Sequence, residues 1–202
     1  MTGKGSVNHN SRKFHAKNTD PERSCLNVEY CNENIKDVYH ELFDDALAQY
    51  NGKQTRNDRI IDDYYEKICS GKQEKPFHEI ILQIGNKDDM GAKTENGQLA
   101  AKILDEYMQD FQQRNPTLRV FSAHLHMDEA TPHLHIDFIP YTTGSKRGLE
   151  TRVSLKKALA ELGFKGGTRS ETERNQWVAA EKERLAEIML KHDIEWEKKG
   201  NA

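Results

Sequence analysis

Four histidines lie within twelve residues of this chain, arranged as two His-x-His pairs. His124 and His126 form the first pair, and His133 and His135 form the second. Alternate residues of a β-strand point to the same face, so each pair would place two imidazoles side by side. Imidazole nitrogens suit borderline divalent metals, and three neutral histidine ligands leave positions open for a substrate oxygen. If the two pairs lie on adjacent strands, the spacing predicts a metal site.

The link between the two pairs predicts how their strands meet. Only residues 127–132 separate the pairs, and because so short a link cannot make a parallel crossover, the strands should form an antiparallel hairpin. His126 is nearest the turn and is the natural partner of His133 and His135, whereas His124 lies further along its strand. We therefore predict His126, His133 and His135 as metal ligands, with His124 as the alternative member of the set.

The turn itself carries two carboxylates, Asp128 and Glu129. Such residues beside a proline are common in plain turns. A carboxylate next to a metal site can also act as a base or orient a ligating histidine. Of the two, we favour Glu129 for the chemical role.

The segments around the hairpin predict an α+β fold with a central antiparallel sheet. In that sheet Leu125, Leu134 and Ile136 should face away from the histidines and into a core. Apolar periodicity and turn residues predict strands at 26–30, 77–84, 118–126 and 133–141, and helices at 32–48, 55–71, 95–115 and 154–162 and from 170 onward.

Three further details follow from local sequence signals. The first 24 residues are polar and are expected to form an extended loop. The helix at 55–71 should begin at Thr55, with Asp58 completing a capping box. The last helix should be capped by Ser170-x-x-Glu173, and its apolar side should carry Trp177, Leu185, Ile188 and Trp196.

The composition excludes several classes of protein. The chain has 202 residues, of which 35% are hydrophobic and 31% are charged, with a formal net charge of −3. No apolar run approaches the roughly 18 residues of a membrane span, and the N-terminus lacks a signal-peptide core. Three cysteines without a Cys-x-x-Cys pair indicate reduced thiols. We therefore expect a cytoplasmic protein in which any polyanion site is a local basic patch.

Two motifs resemble those of a known family. The stretch H-L-H-M-D-E-A-T-P-H-L-H at 124–135 resembles the HUH metal signature of MobV-type relaxases, the plasmid mobilisation and recombination (Mob/Pre) family of HUH endonucleases. The stretch N-H-N-S-R at 8–12 and the stretch at 20–27 resemble that family's N-terminal motif. The order and spacing of the motifs match the family, and residues from 142 onward fit it more loosely.

This resemblance implies a DNA relaxase, an enzyme that nicks one strand of transfer-origin DNA, stays bonded to the 5′ phosphate and later reseals the strand. It also implies an antiparallel sheet flanked by helices, with the histidines on two adjacent central strands. By the same resemblance His126, His133 and His135 hold a divalent cation, Mn²⁺ or Mg²⁺. Glu129 is the acid of the motif, and His9 is the nucleophile in place of a tyrosine.

The resemblance also sets expectations for domains and partners. We expect one relaxase domain over 1–202, in which 142–202 form a basic loop and a C-terminal helix. Family members usually have a strand ahead of the first histidine motif, whereas only eight residues precede His9 in this sequence. They also continue into a long helical region, which we expect to be absent. The expected partners are single-stranded transfer-origin DNA and relaxosome or coupling proteins, with the domain itself monomeric.

Residues that could bind DNA phosphates occur in two basic segments. Residues 1–30 hold five Lys or Arg against three acids, and the Gly-rich residues 141–170 hold seven against two. Basic, flexible segments of this kind suit the phosphates of a single strand. The predicted DNA-binding residues are Arg12 and Arg23, near the scissile phosphate, and Lys146, Arg147 and Arg152.

Alternatives remain for the nucleophile and for the function. Tyr64 and Tyr65 are the rival nucleophiles, although their place on a helical face with Ile60, Ile61 and Ile68 favours packing. The rival functions are a non-cleaving origin-DNA-binding or structural-metal protein and a metal-dependent hydrolase of another class. A nicking assay on single-stranded oligonucleotides separates these functions.

Overall fold

An antiparallel sheet forms the centre of the protein. The computed structural model describes residues 6–14 and 17–195. Its strands are β1 (Val28–Asn32), β2 (His78–Gln83), β3 (Leu118–His126), β4 (His133–Thr142) and β5 (Arg152–Val153). They lie in the order β1-β3-β4-β2, and β5 pairs with the end of β4. All of these pairs are antiparallel, which confirms the predicted sheet and the α+β class.

Helices surround the sheet. Within the described residues these are α1 (Val7–Asn10), α2 (Ile35–Gly52), α3 (Tyr64–Ser70), α4 (Glu95–Gln109), α5 (Phe111–Arg114), α6 (Leu155–Glu161) and α7 (Glu173–Lys191). Side chains that accept a hydrogen bond from a backbone N–H of the first turn cap the long helices and lower the cost of starting them. These caps are Asn34 for α2, Thr94 for α4 and Thr172 for α7.

The predicted extended loop at the N-terminus is wrong at two places, where short helical elements form. Ser6 caps the short helix α1, and a 3₁₀ turn spans Pro21–Leu26. Both elements are too short to produce a recognisable apolar period in the sequence. Contacts with the β3–β4 hairpin hold both elements in place. Asn10 of α1 donates from Nδ2 to Asp137 at 3.1 Å, and the backbone N–H of Asp20 donates to the carbonyl of Asp128 in the hairpin turn at 2.7 Å.

Two predicted helix starts are also wrong. Thr55 and Asp58 do not begin a helix, since a 3₁₀ turn occupies Asn57–Arg59 and α3 starts where the Asp63 side chain accepts the N–H of Glu66. Thr172, two residues after the predicted Ser170, caps the last helix. Trp177, Leu185 and Ile188 are buried on that helix as predicted, and Trp196 lies outside the described residues.

The hairpin of β3 and β4 has the register that the histidine spacing requires. His126 pairs with His133, and His124 pairs with His135. Leu125 and Leu134 oppose each other on the other face and are buried in the core, as predicted. On the far side of β4, strand β2 places Glu79 opposite Asp137.

Each face of the sheet packs on a different core. The leucine face carries Leu134 and Ile136 and packs on α4, α6 and α7. The histidine face carries Phe121 and Ile139, which pack with α2 and α3 at one end of the strands. The other end of this face, where the histidines lie, is met by the N-terminal helix α1.

The structure shows the state of the cysteines and the character of the helices. Cys25, Cys31 and Cys69 are free thiols, as predicted. Among residues 6–14 and 17–195, no helix combines the length and the apolar character needed to cross a membrane.

A buried carboxylate joins α7 to the rest of the fold. Glu181 is 5% exposed and accepts hydrogen bonds from the Tyr107 hydroxyl, from Arg114 Nη1 at 2.8 Å and from Asn115 Nδ2 at 3.1 Å. Asn115 Oδ1 in turn accepts from the Trp177 indole at 2.8 Å. Because buried polar groups are costly when unpaired, these bonds stabilise the docking of α7 against α4.

We expect Glu181→Ala to lower the free energy of unfolding by about 2–4 kcal/mol, since it leaves the Tyr107 hydroxyl and the Asn115 amide without their acceptor. The matched control is Glu187→Ala, because Glu187 is exposed on the same helix and its loss should cost less than about 1 kcal/mol. Urea unfolding of both variants measures the difference. Equal losses would show that the cluster does not hold α7.

Candidate metal centre

Three imidazoles converge at the open end of the β3–β4 hairpin. The ring centroids of His126, His133 and His135 lie 5.0–5.1 Å from one another. Ligand nitrogens from all three rings lie within 4.8 Å. His126 Nδ1 and His133 Nε2 are 3.3 Å apart, and two nitrogens bound tetrahedrally at about 2.1 Å from one metal ion would be separated by about 3.4 Å.

One nitrogen of each ring is held by an acceptor in the protein, which leaves the other nitrogen for a ligand. Metal-binding histidines usually donate their second N–H in this way, because the bond fixes the ring and raises its basicity. The first two bonds go to backbone carbonyls, from His126 Nε2 to Asn10 at 2.8 Å and from His133 Nδ1 to Thr131 at 2.9 Å. The third goes from His135 Nδ1 to Glu79 Oε1 at 2.7 Å.

Burial keeps the lone pairs of His126 and His133 available. It lowers the pKa of His126 to about 2 and also lowers the pKa of His133. Neutral imidazoles are the form that binds a metal. The donor set, its spacing and the neutral form of these two rings therefore fit a divalent cation.

His124 lies outside the triad. It is buried opposite His135, and its ring is 6.1 Å from that of His126. Its Nδ1 faces Glu29 at 3.8 Å instead. The histidines that converge are thus the three that the sequence predicts, and their binding of a metal stays a prediction.

The helix α1 brings His9 to the edge of the triad. Its ring centroid is 6.3 Å from that of His126. His9 Nε2 lies between two charged groups, 3.6 Å from Glu129 Oε1 and 3.3 Å from Arg12 Nη1. The candidate nucleophile and the candidate metal ligands, far apart in sequence, are therefore neighbours in the structure.

The two turn carboxylates differ in what they touch. Glu129 lies 3.6 Å from His9 and 3.8 Å from His133, so it faces the candidate reaction centre. Asp128 is fully buried and faces the N-terminal segment. Burial alone would raise the pKa of Asp128, but hydrogen bonds from Arg12, Asn27 and Ser24 outweigh it and hold the pKa well below its usual range.

The two N-terminal arginines both contact this turn. Arg12 donates from Nε to Asp128 at 2.9 Å and from Nη2 to Glu129 at 2.9 Å. Arg23 donates from Nη2 to the Met127 carbonyl and, at 3.3 Å, to the Glu129 carbonyl. The arginines therefore fix the carboxylate that faces His9.

The other predicted residues lie elsewhere. Tyr64 is buried among the aromatic residues of the α2–α3 core, where its hydroxyl accepts the N–H of Val153 at 3.2 Å. Lys146 and Arg147 are exposed between β4 and β5, and Arg152 is half-buried on β5.

Three polar residues lie beneath the triad, namely Asn10, Glu79 and Asp137, and each is at most 3% exposed. The sequence suggests that Asn10, as a neighbour of His9, orders it, but sequence reasoning gave no role to Glu79 or Asp137. Burial, followed by the nearby charge of Glu79, raises the pKa of Asp137 to about 6. A signal was present for Asp137, because it interrupts an apolar strand at a position that alternates onto the face of His133 and His135.

Comparison with known proteins supports the resemblance. A family model described as "Plasmid recombination enzyme" (Mob_Pre) matches residues 12–176. A curated plasmid recombination enzyme from Streptococcus agalactiae is 24% identical over 207 residues, which cover 94% of this chain and 38% of that protein. The chain thus spans well under half of that relative's length.

Two solved structures have a similar fold. Both are MobM relaxase domains bound to plasmid pMV158 oriT DNA and Mn. One, with a 22-nucleotide strand, has a TM-score of 0.51 and 22% identity over 97% of this chain and 85% of that chain. The other, with 23 nucleotides, has a TM-score of 0.50 and 22% identity over 97% and 82%. The family model matches residues 12–176, which are well over half of the chain and include the sheet and its histidine hairpin. The chain therefore belongs to the Mob_Pre plasmid recombination enzyme family.

Proposed function

We propose that this chain is a metal-dependent DNA relaxase, which nicks one strand of transfer-origin DNA at a specific site and later reseals it. The placement of His9 carries the proposal, because its ring is 6.3 Å from His126 and its Nε2 is 3.6 Å from Glu129. A nucleophile, a metal centre and a carboxylate that stabilises developing positive charge, all within one site, suit phosphodiester transfer. Family membership and the oriT DNA bound to the MobM domains support the same function.

We assign the attack on phosphorus to Nε2 of His9. The Arg12 guanidinium can only donate, so its contact with Nε2 at 3.3 Å places the lone pair of the neutral ring on Nε2. With its proton on Nδ1, the ring needs no deprotonation before it attacks, and the phosphate would replace Arg12 as the partner of Nε2. The carboxylate of Glu129, 3.6 Å from Nε2, stabilises the positive charge that the ring gains during the attack.

The reaction exchanges one bond at phosphorus for another. A bond forms between His9 Nε2 and the phosphorus, and the bond from phosphorus to the 3′ oxygen breaks. The Nδ1 proton passes to water, and the departing 3′ oxygen takes up a proton from water. The product is a phosphoramidate on the 5′ end of the strand. Attack by a 3′-hydroxyl on this phosphorus reverses the step and reseals the strand.

The metal site would polarise the scissile phosphate. A divalent cation, Mn²⁺ or Mg²⁺, held by His126, His133 and His135 would draw charge from the scissile phosphate and make its phosphorus more electrophilic. The acceptor bonds to the three rings hold them in the orientation that the cation needs.

The basic segments would hold the strand. We propose that Lys146, Arg147 and Arg152 contact its phosphates and that residues 1–202 act together as one nicking domain. Arg12 and Arg23 act nearer the reacting atoms. Arg12 in particular keeps Glu129 in place and adds positive charge beside His9.

Replacing any one of the three metal histidines with Ala should abolish the response to metal. For the wild-type protein, Mn²⁺ at about one hundred times its Kd should raise the free energy of unfolding by about 2.7 kcal/mol, because the ligand binds only the native state. Thermal unfolding with and without Mn²⁺ measures this gain. The control is His124→Ala, which should keep most of it. A loss in His124→Ala equal to that in His126→Ala would mean that the wrong three histidines are assigned.

His9→Ala should abolish the covalent adduct with DNA, because it removes the nucleophile. The probe is a random-sequence pool of single-stranded oligonucleotides incubated with the wild-type protein and Mn²⁺, from which cleaved and bonded strands are recovered. The adduct should be acid-labile, since an imidazole N–P bond hydrolyses in acid whereas a tyrosyl ester survives mild acid. An acid-stable adduct that persists in His9→Ala and disappears in Tyr64→Phe/Tyr65→Phe would overturn the histidine mechanism.

Neutralising Lys146, Arg147 and Arg152 together should weaken binding of the selected strand and flatten the slope of log K against log salt. Each lost phosphate contact reduces the slope by about 0.7, because fewer counterions are released from a single strand. The control variant neutralises Lys102, Lys182 and Lys191, which are exposed on α4 and α7 behind the sheet. The same change of slope in both variants would place the strand on another face or show that net charge alone governs binding.

A further inference from the structure

The side chain of Asn10 joins the turn that carries His9 to the strands that carry the histidine triad. It is 2% exposed. Its Nδ2 donates to Glu79 Oε1 at 3.0 Å and to Asp137 Oδ2 at 3.1 Å. The backbone carbonyl of Asn10 accepts from His126 Nε2 at 2.8 Å. One residue thus contacts β2, β3 and β4 from a position adjacent to His9.

The chemistry beneath Asn10 calls for a donor at this position. Glu79 and Asp137 lie opposite each other on neighbouring strands, and both are buried. Two carboxylates at such close range repel each other unless a donor lies between them. The Asn10 amide carries two N–H groups and no charge, so it can donate to both carboxylates. A third acceptor in its place would add repulsion where water cannot screen it.

The other contacts of the turn lie away from Glu79 and Asp137. Val7 packs against the α2–α3 core, Arg12 bonds to Asp128 and Glu129, and the Ser11 hydroxyl bonds to the Val7 carbonyl. Asn8, two residues before Asn10, is exposed. Among the described residues of α1, Asn10 is therefore the one whose side chain hydrogen-bonds to the buried carboxylates of β2 and β4.

We infer that Asn10 is a positioning residue, which sets the distance and direction of His9 relative to the histidine triad. Its side chain attaches the turn to Glu79 by donating to Oε1. The same oxygen also accepts a hydrogen bond from His135 Nδ1. One carboxylate thus helps to place His9 and to orient one candidate metal ligand. The consequence for catalysis rests on the proposed function, whereas the docking of the turn does not.

The first test follows the turn itself in the protein without DNA or metal. Asn10→Asp and Asn8→Asp each add one negative charge to α1, but only the former faces Glu79 and Asp137. The backbone amides of residues 9–13 donate hydrogen bonds within the turn. We expect these amides to exchange with deuterium about tenfold faster in Asn10→Asp than in wild type, because the docked turn loses about one hydrogen bond's stabilisation. Asn8→Asp should exchange like wild type.

The second test follows the reaction in a single turnover with Mn²⁺ and a strand that the wild-type protein has selected. Adduct formation should slow about 100-fold in Asn10→Asp, because a small displacement of a nucleophile is costly. Its Kd for the strand should stay close to that of Asn8→Asp, since both variants carry the same added charge.

A reversed pair separates positioning from a general loss of structure. In Asn10→Asp/Asp137→Asn, position 137 supplies the amide and position 10 supplies the carboxylate. We expect this double variant to recover most of both the exchange protection and the adduct rate.

Either of two results would overturn the inference. In the first, Asn10→Asp matches Asn8→Asp in both amide exchange and adduct rate. In the second, Asn10→Asp reacts slowly, but the reversed pair recovers neither the exchange protection nor the adduct rate. If the wild-type protein forms no adduct with any strand, the proposed function fails, and the exchange experiment still decides whether Asn10 docks the turn.

Discussion

The antiparallel register of β3 against β4 is the constraint on which the candidate site depends. Because His126 lies opposite His133, strand alternation places His135 on the same face, and the three rings meet. A shift of one residue would turn one set of imidazoles into the core and bring Leu125 or Leu134 to the histidine face. Burial of those leucines against α4 and α7 therefore stabilises the same register that assembles the histidines.

Charge compensation then attaches the N-terminal segment to this hairpin. Asp128 accepts a hydrogen bond from the Arg12 guanidinium. The buried carboxylates of Glu79 and Asp137 both accept from the Asn10 side-chain amide. Buried carboxylates without such partners would be costly, so the segment docks through polar contacts more than through apolar packing. Arg12 and Asp128 are 116 positions apart in the sequence. The placement of His9 consequently depends on long-range hydrogen bonds.

The hairpin, its register and the converging histidines could be predicted because they depend on local features, namely strand alternation and a short link. The start of the last helix was missed by two residues because Ser170 and Thr172 are both plausible caps, and only the fold selects Thr172. The partners of Asn10 could not be predicted, since they require knowing that β2 lies beside β4. Alternation shows that Glu79 shares a face with the histidines only after that neighbour is known.

The most direct test of the account is to locate the DNA on the protein. An adduct formed with Mn²⁺ and a strand selected from a random single-stranded pool would be trimmed by nuclease at neutral pH, digested and mapped by tandem mass spectrometry. We expect a nucleotide joined through its 5′ phosphate to His9, in the turn beside the histidine triad. A nucleotide on Tyr64 or Tyr65, or no covalent product from protein whose triad binds Mn²⁺, would contradict it.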